Sequence, residues 1–413
     1  MAGLRLQLVN VVMRRKSFRL NEARAYRFLI WGLIAVLIAG GMSAFALRNS
    51  GGTRLKAINA YYGKLLDRTE LGAAHGPHYW KDGSLFWAGT SHVKKSGDLG
   101  VTSADDITLP KPLRGQAQSI SDSILADYSN VYLRQGDGFK RVLADFKCWY
   151  VCGSRLKTGD FVIGEYGSRI FYLDAKTGQT RLLFDKPPDT RHFHFTAVDP
   201  VTNDIYTSLG DVHKARVTGI MRSQDGGKTW QWLDKAVGGA RDTHRQPTAV
   251  YFDKDVIYFG KDNRPCGILA LDRKTVRIEQ VFTMSTFLRS WFTGIAKVKG
   301  SFWATSRSFT NMPNPSFGLL WWSGDGKTWV PIQFFGDAPI WLEVDTELDL
   351  ISMGFRRKES NAIAFKVPDA AQMAEWVRLG PRVALLDRLL GQNLKGPVDV
   401  LTGRSFPAPG GTK

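Results

Sequence analysis

Two turns that lie 100 residues apart constrain this chain more than any other feature. Residues 223–230 read Ser-Gln-Asp-Gly-Gly-Lys-Thr-Trp, and residues 323–329 read Ser-Gly-Asp-Gly-Lys-Thr-Trp, one residue shorter. Each follows a run that predicts a strand. Each also has an Asp that can bond its own turn, Gly where a positive φ is needed, and a Trp that returns to the core. The pattern therefore predicts two copies of one β-hairpin and a repeated, all-β fold.

These turns resemble Asp boxes (S-x-D-x-G-x-T-W), the hairpin signature of sialidase-like β-propellers. The resemblance implies a propeller blade and a structural role for Ser223, Asp225, Gly227, Trp230, Ser323, Asp325, Gly326 and Trp329. It does not imply sialidase chemistry, because the Arg-Ile-Pro motif that sialidases carry near the start of the domain does not occur in this sequence. A sialidase-type glycoside hydrolase is therefore the weakest of the functional alternatives.

The same order of four strands recurs about seven times between residues 75 and 380, with a period of 40 to 50 residues. Four strands at this period are the signature of a β-propeller. We predict an all-β propeller of four-stranded blades, with seven blades favoured and six as the alternative. Leucines at helical spacing from Leu385 to Leu390 predict a helix after it, so residues 381–413 form a C-terminal helix and a flexible tail.

The N-terminus predicts a membrane anchor. Residues 28–47 contain no charge and are long enough to span a bilayer as a helix. The preceding residues 1–27 hold seven Arg and Lys against the single Glu22, which by the positive-inside rule places this tail in the cytoplasm. Residues 48–74 would then be a tether and the propeller would lie in the periplasm of a bacterial-type inner membrane. A signal peptide cleaved near Ala44-Phe45-Ala46 is the alternative.

The net charge of the chain restricts the class of binding partner, and its cysteine content bears on disulfides. The net charge of +18 favours a polyanion, and outside the cytoplasm this means an anionic polysaccharide or an acidic partner protein and excludes nucleic acid. The three cysteines, Cys148, Cys152 and Cys266, do not make a disulfide framework.

Polar residues are sorted unevenly between the connections of the predicted blades. We label the strands of a blade A to D, so that the A–B and C–D turns lie on one face and the B–C and D–A connections lie on the other. All seven histidines fall in the second class of connection, together with several arginines and acids. Long loops on a rigid ring are the usual place for binding, so this face is expected to carry the site.

Two groups of residues are candidates for this site. Arginine suits carboxylate or sulfate groups, so we expect an anionic glycan to contact Arg191, Arg245, Arg289 and Arg307, with Asp262 beside them. A shared ligand, either a divalent metal or the carboxylate of a uronic acid, is expected at the histidine cluster, because two histidines two residues apart on a strand point the same way. The candidate metal ligands are His192, His194, His213 and Asp211. This cluster is similar to the metal-holding histidines of a propeller family of pectate-degrading lyases, which implies His244 or Tyr166 as the catalytic base.

The sequence leaves three functional classes open. The first is a membrane-anchored extracytoplasmic propeller that binds or processes an acidic polysaccharide, as a lyase, a hydrolase or an export accessory. The second is a non-catalytic scaffold or assembly factor in a membrane complex. The third is the sialidase-type hydrolase. A bound metal would favour the first class, an exposed apolar patch the second, and paired carboxylates the third.

Overall fold

Strands dominate the computed structural model, as the sequence predicts. The structure describes residues 59, 61–66, 68–71, 76–89, 91–98, 102–109, 113, 117, 119–147, 153–211, 217–237, 245–263, 265–284, 290–308, 317–355, 362–379, 398–399 and 404–405. The strands in the first half are β1 (Arg68–Glu70), β2 (His78–Lys81), β3 (Ser84–Ala88), β4 (His92–Ser96), β5 (Ala104–Thr108), β6 (Ser119–Ile120), β7 (Ile124–Ala126), β8 (Asn130–Gln135), β9 (Gly138–Ala144), β10 (Gly153–Arg155), β11 (Phe161–Gly164), β12 (Arg169–Leu173), β13 (Thr180–Asp185), β14 (His192–Val198) and β15 (Ile205–Gly210). Those in the second half are β16 (Val217–Ser223), β17 (Gln231–Val237), β18 (Pro247–Phe252), β19 (Val256–Lys261), β20 (Gly267–Asp272), β21 (Ile278–Thr283), β22 (Ser290–Val298), β23 (Ser301–Ser308), β24 (Gly318–Ser323), β25 (Val330–Phe335), β26 (Pro339–Asp345), β27 (Leu350–Phe355), β28 (Ile363–Lys366), β29 (Val398–Asp399) and β30 (Arg404–Ser405).

Antiparallel pairing groups these strands into seven sheets of four, and β29 pairs with β30 separately. Blades 1 to 6 each take four consecutive strands, beginning with β2, β6, β10, β14, β18 and β22. Blade 7 combines β26, β27 and β28 with β1 from the N-terminal side. The prediction of a seven-bladed propeller with four strands per blade is therefore confirmed.

Blade 7 closes the ring with strands from both ends of the domain. Strand β1 pairs antiparallel with β28, with Thr69 opposite Ala364. Asn59, which precedes β1 in the chain, contacts blade 6, since its Nδ2 donates to the Phe334 carbonyl at 2.8 Å. The predicted boundary at residue 75 is thus wrong, because residues assigned to the tether supply the outer strand of blade 7.

A short helix follows the last strand, inside the range assigned to the propeller. Helix α1 (Ala370–Leu379) begins after Pro368, which cannot donate to a strand ladder. The Asp369 carboxylate caps it by accepting the Gln372 N–H at 2.7 Å. Residues 370–379 thus form a helix and not a strand of blade 7. The helix predicted around Leu385 lies outside the described residues.

The hydrophobic core is divided into layers between neighbouring blades. One layer joins Ile124 and Leu133 of blade 2 to Phe161 of blade 3, and a similar layer joins Phe195 of blade 4 to Phe259 of blade 5. Each blade is therefore apolar on both sides of its sheet, which explains why the strands read as nearly continuous apolar runs. This packing holds the inner A strands of the ring in fixed positions.

The connections define two faces. The turn face carries the A–B and C–D turns, such as 199–204 and 224–230, and the loop face carries the B–C and D–A connections, such as 262–266. The turns at 223–230 and 323–329 are C–D turns and lie on the turn face, as predicted. The Asp225 Oδ1 accepts from the Lys228 and Thr229 N–H groups at 3.0 and 2.9 Å. The Asp325 carboxylate makes the same two bonds within its shorter turn.

A third turn of this kind was missed by the sequence analysis. The hydroxyl of Ser96 donates to Asp98 Oδ1 at 2.6 Å, and Thr102 bonds the same carboxylate through its N–H and its hydroxyl. The segment from Ser96 to Thr102 matches S-x-D-x-G-x-T, but Ser103 stands where the other two turns have Trp. The motif was overlooked because its aromatic residue is absent.

Helices that could cross a membrane are not found among the described residues, where none is sufficiently long and apolar. The predicted span at residues 28–47 and the basic tail before it lie outside them.

Candidate functional site

Three predicted metal ligands meet on the loop face of blade 4. His192 and His194 come from β14, the inner strand, and Asp211 follows β15 directly. One ligand atom from each residue lies within 4.8 Å of the other two. The Asp211 carboxylate is 3.8 Å from His192 Nε2 and 3.6 Å from His194 Nε2. The sequence therefore identified a real cluster, although the fourth predicted ligand, His213, lies outside the described residues.

A β-bulge orients the second histidine. The register between β14 and β15 shifts between Phe193 and Phe195, so His194 is the extra residue of the bulge. Bulges commonly re-aim a side chain beside a binding site. Here the His194 Nδ1–H donates to the Pro247 carbonyl of blade 5 at 3.2 Å, which directs Nε2 towards the carboxylates.

The same bulge recurs in blades 5 and 6 with threonine in place of histidine. The Thr248 hydroxyl donates to the Phe292 carbonyl at 2.6 Å, and the Thr293 hydroxyl donates to the Pro339 carbonyl at 3.1 Å. In each case the bulged side chain bonds the inner strand of the next blade. Blade 4 therefore places an imidazole at a position where blades 5 and 6 have a hydroxyl that joins neighbouring blades.

Glycine makes room for this histidine. A Cβ atom on Gly210 would lie 2.0 Å from Cε1 and 2.2 Å from Nε2 of His194. Such contacts are impossible without moving the ring. Gly210 is thus required for the observed position of His194, and the sequence analysis missed it because a strand-end glycine carries no chemistry of its own.

Blade 5 supplies a second carboxylate. Asp262 follows β19, and its Oδ2 lies 3.7 Å from His194 Nε2. Burial raises the pKa of Asp262 to about 6, while the charge of His194 opposes this shift. Asp262 was predicted as a ligand-binding residue, and its position makes it a candidate fourth metal ligand.

The cluster holds its groups in different protonation states. Burial, together with the charge of His194, lowers the pKa of His192 to about 3, so its ring is neutral at neutral pH. His194 is also buried, but the carboxylates of Asp262 and Asp211 outweigh burial and raise its pKa. Burial opposes ionisation of Asp211, yet the hydrogen bond and charge of His194 lower the pKa of its carboxyl to about 2.

One nitrogen of the cluster has no hydrogen-bond partner among the described residues. This is the buried Nε2 atom of His192, which faces Asp211. Buried polar atoms in native proteins are nearly always paired, so an unpaired one calls for an explanation. A neutral imidazole with a free buried nitrogen, beside a second imidazole and a carboxylate, has the donor chemistry of a transition-metal site.

Some of the other predicted site residues lie beside this cluster and others do not. The ring of Tyr166 lies against His192, with centroids 4.3 Å apart. Arg191 donates to Asp211, whereas Arg245 pairs with Asp234 at 3.4 Å. Arg307 is buried and lies over the ring of Trp291 at 4.7 Å. His244 and Arg289 lie outside the described residues.

Comparison with known proteins adds little beyond the fold. No family model and no curated protein matches this chain. Solved structures with similar folds include an oligogalacturonate lyase in complex with manganese, at 12% identity and a TM-score of 0.49, over 74% of this chain and 94% of that one.

Two others are PorZ, a surface component of the type-IX secretion system of Porphyromonas gingivalis, and the tricorn protease. PorZ is 13% identical with a TM-score of 0.44, over 71% of this chain and 46% of that one. The tricorn protease is 10% identical with a TM-score of 0.48, over 73% of this chain and 34% of that one. The chain thus spans less than half the length of either protein. At these scores the comparisons identify no function, and the assignment of the fold rests on the strand pairing.

Proposed function

We propose that this protein is a membrane-anchored, extracytoplasmic propeller that binds an anionic polysaccharide through a divalent transition metal. The observation that carries the proposal is the His192–His194–Asp211 cluster, in which the donor atoms lie within 4.8 Å of one another. One buried imidazole nitrogen of this cluster has no hydrogen-bond partner in the part of the chain that the structure describes. The net charge of +18 supports an anionic ligand. The Asp boxes support membership of the sialidase-like propellers, a finer assignment than the fold alone.

The donor atoms of the cluster limit the choice of metal. Two imidazoles with one or two carboxylates suit manganese, iron or zinc, whereas calcium and magnesium prefer all-oxygen sites. His192 is already neutral, and His194 must release its proton to a solvent base when metal enters. Metal binding is therefore expected to release a proton and to weaken as the pH falls.

The bound metal would polarise the carboxylate of a uronic acid and make the neighbouring C–H proton more acidic. In this site the chain itself positions the imidazole rings and excludes water from them. His194 is fixed by the Pro247 carbonyl, and both histidine side chains are less than a tenth exposed. Tyr166 borders the cluster, and its phenolate, formed once the phenol has lost its own proton to solvent, would accept the C–H proton. His244 was the other predicted base. A lyase or hydrolase would use one of these bases, whereas a binding protein would need only the side chains that hold the metal.

The test is metal content and glycan binding in matched variants. Wild-type protein purified without chelator should contain about one equivalent of metal per chain, and His194→Thr should contain little. Threonine is chosen because blades 5 and 6 use it at the same bulge, so the bond to the Pro247 carbonyl and the fold should survive. His92→Ala serves as control, since His92 lies on the same face beside Asp105 and away from the cluster.

The same proteins should then be tested with a uronic-acid oligosaccharide and with its neutral methyl ester. Metal-dependent binding of the acid form alone supports the proposal. Less than about a tenth of an equivalent of metal in wild type, together with unchanged glycan binding in His194→Thr, would refute it and favour the scaffold alternative.

A further inference from the structure

Arg191 shares a carboxylate with the candidate metal site. It precedes His192 in the chain, and its Nη1 donates to Asp211 Oδ2. The same oxygen lies 3.8 Å from His192 Nε2. The Arg191 side chain is 45% exposed and Asp211 is 34% exposed, so this ion pair lies at the mouth of the cluster. One carboxylate thus faces a guanidinium on one side and two imidazoles on the other.

A metal at the cluster and the Arg191 guanidinium have opposing requirements. Both use the lone pairs of Asp211, and a divalent cation there would repel the positive charge of Arg191. The two histidines are buried and cannot move away, whereas Arg191 is half-exposed on a flexible side chain. Metal binding therefore weakens the Arg191–Asp211 bond and leaves the guanidinium free to turn to another anion.

We propose that Arg191 competes with the metal for Asp211 in the empty site, and that metal binding releases it to bind the carboxylate of the anionic glycan. This inference rests on the proposed function. The planar guanidinium fork suits a carboxylate in bidentate geometry. A ligand carboxylate also brings a negative charge that offsets the repulsion between metal and arginine. Metal and glycan thus bind cooperatively, and the coupling is reciprocal.

Because of this competition, removal of the arginine should raise the affinity for metal and lower the affinity for the glycan. Arg191→Gln should bind Mn²⁺ or Zn²⁺ about fivefold more tightly than wild type, because an exposed ion pair worth up to about 1 kcal/mol no longer occupies Asp211. The same variant should bind a uronic-acid trisaccharide more weakly in the presence of metal. Arg191→Lys keeps the charge without the planar fork, so its metal affinity should stay close to that of wild type while glycan binding weakens.

Isothermal titration calorimetry of the full chain at pH 7, with each metal alone and then with the trisaccharide, measures both affinities. Arg378→Gln is the matched control, because Arg378 is an exposed arginine bonded to Glu375 on helix α1 and its loss should change neither affinity. Metal affinity in Arg191→Gln that equals or falls below that of a metal-binding wild type would overturn the inference and leave the proposed function intact. A wild-type protein that takes up no metal would overturn both.

Discussion

On the turn face, two carboxylates are each paired with a cation of the next blade, whereas on the loop face two carboxylates share the ring of His194. On the turn face, Asp199 of blade 4 is completely buried and is bonded by Arg273 of blade 5. The same kind of pair joins Asp253 to Lys297 at 2.7 Å. Both of these carboxylates take their cation from the next blade.

The loop face of blades 4 and 5 has a different ratio of carboxylates to imidazole rings. Two carboxylates, Asp211 and Asp262, lie beside the single ring of His194. His192 stays neutral, and its Nε2 atom has no hydrogen-bond partner within the described residues. Groups arranged for stability complete their hydrogen bonds, while a binding site keeps some donors and acceptors available for a ligand. Pairing between blades therefore stabilises the turn face, and the proposed function assigns the cluster of blades 4 and 5 to a ligand.

The largest effect is expected from breaking a buried pair on the turn face. Arg273→Met leaves the Asp199 carboxylate buried without its cation, which should lower the free energy of unfolding by about 3–5 kcal/mol. Urea denaturation measures this loss. Adding Asp199→Asn should recover part of it, since the unpaired charge is removed. A loss below about 1 kcal/mol would show that the turn face is not stabilised by this pair.

His78 allows a structural histidine to be compared with the site histidines. Its Nε2 accepts from the Ser352 hydroxyl at 2.6 Å, across the junction of blades 1 and 7, and burial lowers its pKa to about 4. The unfolded chain takes up a proton near pH 6.5 that the folded chain refuses until about pH 4. The stability that His78 contributes is therefore complete above pH 6.5 and is lost as the pH falls towards 4.

This loss should amount to about 3 kcal/mol, from about 1.4 kcal/mol for each unit of pKa shift. Unfolding free energies measured at pH 7 and pH 4 should thus differ less in His78→Asn than in wild type. Metal uptake by the variant at pH 7 should be unchanged. Identical pH dependence in the two proteins would mean that His78 titrates normally in the folded state.

Gly210→Ala tests the site without touching a ligand. The added Cβ would displace the His194 ring, so metal affinity should fall about 10- to 100-fold, as for other residues that orient metal ligands. Gly336→Ala is the control, because Gly336 follows β25 on the same face and a Cβ there meets nothing within 4 Å. Calorimetry measures the metal affinity of both variants. Equal affinities in Gly210→Ala and Gly336→Ala would show that His194 is not a metal ligand.

The smallest effect is expected from an exposed pair on the turn face. Lys299 and Asp349 join blades 6 and 7 at 2.7 Å, but their side chains are 33% and 35% exposed. Lys299→Met should therefore cost less than about 1 kcal/mol of stability, and less still at high salt. A loss as large as that of Arg273→Met would show that position in the ring matters more than burial.

The number of blades and the grouping of His192, His194 and Asp211 followed from the sequence, because both depend on local order. Strand, turn and strand again follow each other in the chain, so the period of the repeat and the turns at Asp225 and Asp325 could be recognised directly. The connection class of each polar residue then placed His192, His194 and Asp211 on one face. The alternation of side chains along a strand was enough to predict that the two histidines lie together.

The closing strand, the bulge and the role of Gly210 were decided only by the tertiary structure. Arg68–Glu70 pairs with a strand nearly 300 residues later in the chain, and three residues carry no periodic signal of such a partner. His194 reaches the Asp262 carboxylate because a bulge turns it towards the next blade, and a bulge is a property of two paired strands and not of one. The space that Gly210 leaves is filled by a ring 16 residues earlier in the chain, so its importance exists only once the strands have paired.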